Sequence, residues 1–160
     1  MSTVPEAPAA ADVVTLLIER GLTIATGESL TAGLVASALA DVPGCSAVLR
    51  GGVVAYQADI KATLLGVSAI SLEQGVVSRA VAVAMAQGAA RALGADIGIG
   101  TTGVAGPEPH DGEPVGSVWI AVAGAGGVRS AHLSLAGDRA QIRCQTVAAC
   151  WVLVRDLLTG

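Results

Sequence analysis

A chain of 160 residues with 52% hydrophobic side chains, no phenylalanine and a net charge of −4 is the size of one domain and can bury roughly two thirds of its unfolded surface. Its acidic balance and 2% aromatic content offer neither a basic stripe for phosphates nor a stacking platform for bases, so no nucleic-acid partner is expected. Uncharged runs such as 115–128 fall short of the roughly 18 to 20 residues that span a bilayer, and nothing near the start resembles a signal peptide. No membrane partner and a cytoplasmic location are therefore expected.

Residues 1–8 read as a Pro/Ala-containing N-terminal tail and 9–160 as the domain. Val13, Val14, Leu16, Leu17 and Ile18 form a broad helical face that Gly21 ends. The β-branched run LTIAT (22–26) predicts a buried strand, and ESLTAGLVASALADVPG (28–44) a helix with Leu30, Leu34, Ala38 and Leu39 inward. The hydroxyl-rich ESLTAG thus straddles a strand-to-helix turn. A strand with a glycine bend over 46–56, a short helix closed by Gly66, and a helix capped by Ser78 and ended by Gly94 follow.

Next come a buried strand entering a glycine-rich loop (95–106), a polar turn (107–114) and two strands, 115–124 and 127–137. Asp138 and Gln141 have the spacing of a capping box for a final helix with Ile142, Ala149, Leu153 and Leu157 inward. Helices alternating with strands, then adjacent strands late in the chain, predict a single α/β domain. Its architecture is a three-layer α/β/α sandwich with a mixed, mostly parallel sheet.

GIGTTG (98–103) matches GxGxxG, but prolines stand where a dinucleotide-binding fold needs its helix. Its glycines serve either close backbone approach or a cradle for a polar substrate, with Thr101 and Thr102 adding hydroxyls. Cys45, Cys144 and Cys150 show no CxxC pair and read as plain thiols. No metal and no cofactor are expected.

In ESLTAG, one hydroxyl could cap the helix and Glu28 could favour its positive end. The remaining hydroxyls and the small Ala32 and Gly33 suggest a site, since a turn lined by backbone amides holds an oxyanion or phosphate readily. Lys61 is the only lysine and falls near the start of a helix, the end that disfavours a cation and lowers an ammonium pKa. Arg139 and Arg143 share one face at the start of the last helix, either paired with acids or open to an anionic ligand. His132 reads as a strand-surface residue.

ESLTAG at 28–33, RGGVVAYQADIK at 50–61, TTGVAGP at 101–107, PVGSVW at 114–119 and GDR at 137–139 together resemble the CinA C-terminal domain family. The resemblance implies an α/β/α sandwich. It also implies a nicotinamide-nucleotide amidase, which hydrolyses nicotinamide mononucleotide to nicotinic acid mononucleotide and ammonia. On that likeness Ser29 is the expected nucleophile and Lys61 its base, as in other Ser-Lys enzymes. Tyr56 and Thr102 would help move the proton or orient the amide, and amides around Ser29 would hold the oxyanion. Glu28, Thr31, Gly33, Gly103 and Arg139 are the expected substrate-binding residues. The family's frequent ESCTGG is ESLTAG here, which loses a cysteine and keeps the serine. The partner implied is a small pyridine nucleotide, and Ala- and Gly-rich helices suggest a homodimer. The competing expectation is a non-catalytic nucleotide-binding or regulatory module of the same fold.

Overall fold

The computed structural model describes residues 6–160, so residues 1–5 of the segment read as a tail lie outside the described residues. Strand β1 (Ile24–Glu28) is buried at every position. It pairs in parallel with β2 (Leu49–Val54) on one side and β3 (Ile97–Gly103) on the other. A strand covered on both faces reads as a near-continuous apolar run, which is why 22–26 shows so little alternation. From β3 the sheet continues antiparallel through β4 (Ser117–Gly124) to β5 (Gly127–Ser134), in the order β2-β1-β3-β4-β5. Only β4 runs against the rest, so the sheet is mixed and most strands share one direction.

Helices α1 (Ala10–Arg20), α2 (Leu34–Ala40) and α6 (Arg139–Thr159) cover one face of the sheet. There Leu17, Leu39, Ile142 and Val154 pack against Ile24, Ile99, Ile120 and Val122. Helices α3 (Ala58–Leu65), α4 (Ala69–Gln74) and α5 (Arg79–Leu93) cover the other. Here the core is made of smaller groups, with Ala25 beside Leu65, Val81, Met85 and Ala89. Helix α5 lies close against the sheet: a β-carbon on Gly27 would stand 2.9 Å from the Met85 carbonyl oxygen, and one on Gly98 or Gly100 would run into the Ala86 or Ala82 carbonyl. The glycines at 98 and 100 therefore serve backbone approach. A loop and the antiparallel β4 follow β3, where a dinucleotide-binding fold would have a helix.

Three elements differ from expectation. Helix α2 begins only at Leu34, because the preceding turn bends through two residues of positive φ, Ala32 at 45° and Gly33 at 98°. Strand β2 begins at Leu49, after a 3-10 turn over Cys45–Ala47. Helix α4, six residues capped by the Ser68 hydroxyl, is too short to show a helical period. The Asp138–Gln141 capping box forms as the spacing predicts. No helix among the described residues is long and apolar enough to cross a membrane.

Candidate active site

Ser29, Ala55 and Tyr56, and Thr102 come from the carboxyl-terminal ends of the adjacent parallel strands β1, β2 and β3, the edge at which open α/β sheets bind ligands. Period-two alternation along β1 sends the Thr26 and Glu28 side chains toward α2 and turns Gly27 toward α5. Ser29, one residue further, falls on the α3 side. There the Lys61 ammonium nitrogen lies 2.9 Å from Ser29 Oγ.

Lys61 is 1% exposed, and Ser29 8%. The Lys61 Nζ also donates to the carbonyls of Ala55 at 2.9 Å and Tyr56 at 2.7 Å. Burial lowers the lysine pKa from its ordinary 10.5 to about 8. In the neutral amine, two N–H bonds satisfy those two carbonyls and the lone pair is left for the serine hydroxyl. The site can therefore hold a serine beside a base that is partly deprotonated near neutral pH.

Between this pair and solvent lies a cavity of about 310 Å³. Its walls come from the strand ends, from Val76 and Val77, and from the loop Val104–His110. Thr102 stands on that wall and donates its hydroxyl to the Val76 carbonyl at 3.0 Å. Arg139, at the start of α6, reaches across the rim and donates to Tyr56 Oη at 2.8 Å and to the Gly106 carbonyl.

Residues 6–158 match the CinA C-terminal domain. The chain belongs to the CinA C-terminal domain family. It is 46% identical over 149 residues to a CinA-like protein of Frankia casuarinae, an alignment covering 92% of this chain and 34% of that relative. The chain thus spans about a third of the length of that longer relative. Among solved structures it is similar to the competence/damage inducible protein CihA of Agrobacterium tumefaciens, at TM-score 0.88 and 35% identity over 92% of both chains. It is also similar to a CinA superfamily protein of Klebsiella pneumoniae, at TM-score 0.90 and 33% identity over 94% of this chain and 95% of the other.

Of the residues singled out in sequence, this CinA domain brings Ser29, Lys61, Tyr56, Thr102, Gly103 and Arg139 to one cavity. Glu28, Thr31 and Gly33, expected to bind substrate, are not on its wall. Glu28 is 1% exposed, and its carboxylate accepts the Val35 and Ala36 amides at 2.8 and 3.1 Å and the Thr26 hydroxyl at 2.9 Å. It caps α2 from below, the plainer of the two roles its position allowed. The Thr31 hydroxyl is buried against that of Thr101 at 2.9 Å. Gly33 supplies the positive φ at which α2 starts.

Two further expectations change. Of the amides around Ser29, its own donates to the Thr101 carbonyl at 3.0 Å and also approaches the Thr101 hydroxyl, so that one is already committed. Tyr56 acts on Lys61 through its main-chain carbonyl, while its phenol, on a side chain 52% exposed, meets Arg139. Among the described residues neither Arg139 nor Arg143 pairs with an acid; Arg143 donates to the carbonyls of Leu30 and Thr31. Sequence reasoning missed the wall formed by Val76 and Val77, because long-range side-chain to backbone bonds such as Thr102–Val76 leave no local pattern. His132 is exposed as expected, stacked on Trp119 and bonded to Ser117.

Proposed function

We propose that this CinA-family domain is a serine-lysine amidohydrolase that converts nicotinamide mononucleotide to nicotinic acid mononucleotide and ammonia. The observation that carries the reading is the buried Lys61 nitrogen 2.9 Å from the Ser29 hydroxyl at the floor of a cavity. In this reaction Ser29 Oγ attacks the carboxamide carbon and its proton passes to Lys61. The resulting ammonium protonates the departing nitrogen, which leaves as ammonia, and a bond remains between Ser29 and the acyl carbon. Water, giving its proton to Lys61, then attacks that carbon; the carboxylic acid leaves and the proton returns to Ser29.

The main-chain carbonyls of Ala55 and Tyr56 orient Lys61 as the aspartate orients histidine in the Ser-His-Asp arrangement, but without a charge. A neutral orienter leaves the amine pKa low, which suits a base that must start unprotonated. Arg139, the cation at the rim, is positioned to meet the anionic end of a nucleotide whose amide reaches Ser29.

Incubation with nicotinamide mononucleotide, with ammonia read by a coupled glutamate dehydrogenase assay, tests the reading. Ammonia should appear, and Ser29→Ala and Lys61→Ala should each lower its release by at least about a thousandfold with circular dichroism unchanged. An unchanged rate in either variant refutes the assigned role. Thermal stabilisation by the nucleotide with no ammonia at all would favour the non-catalytic binding module.

A further inference from the structure

Residues 29–33 form a turn whose shape is not favoured locally. Ala32 holds φ at 45°, a left-handed conformation that a residue with a β-carbon and no polar side chain adopts only when its surroundings impose it. The turn has two internal bonds, Ala32 N–H to the Ser29 carbonyl at 3.1 Å and Leu34 N–H to the Thr31 carbonyl at 2.9 Å. It is tied to β3 through Ser29 and Thr31. At Ser29 it is also tied to Lys61 and to the Tyr56 carbonyl through the hydroxyl, and its main chain is held from helix α6: Arg143 Nε donates to the Leu30 carbonyl at 2.8 Å, and its Nη2 to the Thr31 carbonyl at 3.2 Å.

We propose that Arg143 is a positioning residue that fixes Ser29 by gripping the two carbonyls immediately after it; the inference rests on Ser29 being the nucleophile of the proposed amidase. The placement of Arg143 supports this. It lies in the second turn of α6, where helix electrostatics give a cation no advantage. Among the described residues it has no acidic partner, the one ion pair being Arg155–Asp156. It is also absent from the cavity wall, so a substrate anion is not its natural partner. Its planar fork spans two successive carbonyls, which a lysine's single nitrogen would meet less completely. A serine that must stand within hydrogen-bonding distance of Lys61 gains from such a brace, because a displacement of about 1 Å at a reacting atom can cost on the order of a hundredfold in rate.

The test compares the full chain with Arg143→Met and Arg143→Lys, measuring kcat and KM for ammonia release from nicotinamide mononucleotide and amide hydrogen exchange over residues 29–34. Arg143→Met should lower kcat by roughly a hundredfold with KM within about twofold. Exchange should quicken in the turn but not in α1 or β3, and Arg143→Lys should recover part of both. If Arg143→Met misfolds, the lysine variant carries the same comparison at smaller amplitude. A raised KM with unchanged kcat would make Arg143 a substrate contact, and faster exchange with unchanged kcat a structural brace only; either result overturns the proposal, as does unchanged exchange. If the wild-type chain releases no ammonia, the amidase reading fails separately, and the exchange data still decide whether Arg143 holds the turn.

Discussion

Lys61→Met removes a buried amine while keeping an unbranched stem, and its consequence for stability depends on pH in a calculable way. Burial takes the Lys61 pKa from 10.5 to about 8. At about 1.4 kcal/mol per pH unit, the folded protein gives up between about 3 and 4 kcal/mol by keeping the amine charged below pH 8, less whatever water in the adjoining cavity screens. Between pH 8 and 10.5 the unfolded chain still holds a proton that the folded chain has released, so stability rises with pH across that window and is flat on either side. The variant lacks this rise. Its other loss, the donor to the Ala55 and Tyr56 carbonyls, is the same at every pH. The Cys150 thiol, pushed up by burial and by the Glu28 charge, works in the opposite direction above its ordinary 9.0 but does so in both proteins. Urea unfolding followed by tryptophan fluorescence at pH 7 and pH 10.5 therefore isolates the lysine. The wild-type advantage should grow by about 2 to 3 kcal/mol between the two. A difference that stays flat would show that the folded amine titrates at its ordinary pKa, and a fully protonated Lys61 could not accept the Ser29 proton near neutral pH.

In kinetics, the same pKa predicts that kcat/KM rises about tenfold per pH unit below 8 and levels above it, a profile that pH-rate measurements check directly. Tyr56→Phe removes only the phenol that meets Arg139, so the inflection near 8 should stay in place while KM rises a few-fold; a moved inflection would put the phenol in the proton path. Glu28→Ala leaves the Val35 and Ala36 amides and the Thr26 hydroxyl without their acceptor and should cost about 3 kcal/mol in urea unfolding; a neutral result would dismiss its capping role. Gly98→Ala drives a methyl into the Ala86 carbonyl and should cost at least about 2 kcal/mol by thermal unfolding, with no loss expected if α5 could move away.

The regular elements were legible because their signals are local. Gly21, Gly66 and Gly94 stop α1, α3 and α5 where a left-handed residue belongs, and Asp138 opens α6 by a bond to a residue three positions on. The lone lysine stood out for a related reason, a cation where helix electrostatics do not ask for one, and it lies beside the serine 32 positions earlier in the chain. What stayed hidden depends on distance and direction. Arg143 and the Leu30 carbonyl are 113 residues apart, and no spacing rule links an arginine to a main-chain oxygen. The late start of α2 was hidden too, because Leu30 and Leu34 keep helical spacing across a turn that is not helical.

ESLTAG looked like one cluster of polarity with one purpose, and the strand divides it in two. Neighbouring side chains on a strand point to opposite faces, so Glu28 and Ser29 act in different layers of the sandwich. The acid enters the α2 side, where it caps the helix, while the hydroxyl enters the α3 side, where it meets Lys61. Thr101 and Thr102 on β3 divide in the same way, the first bonding Thr31 on the α2 side and the second bonding Val76 over the cavity. Each pair spends one polar residue on holding the turn that carries Ser29 and one on the cavity itself. Exchanging Glu28 and Ser29 would conserve composition and local polarity yet put a carboxylate beside the lysine and leave α2 without its carboxylate cap. The order of residues within these motifs therefore carries the chemistry.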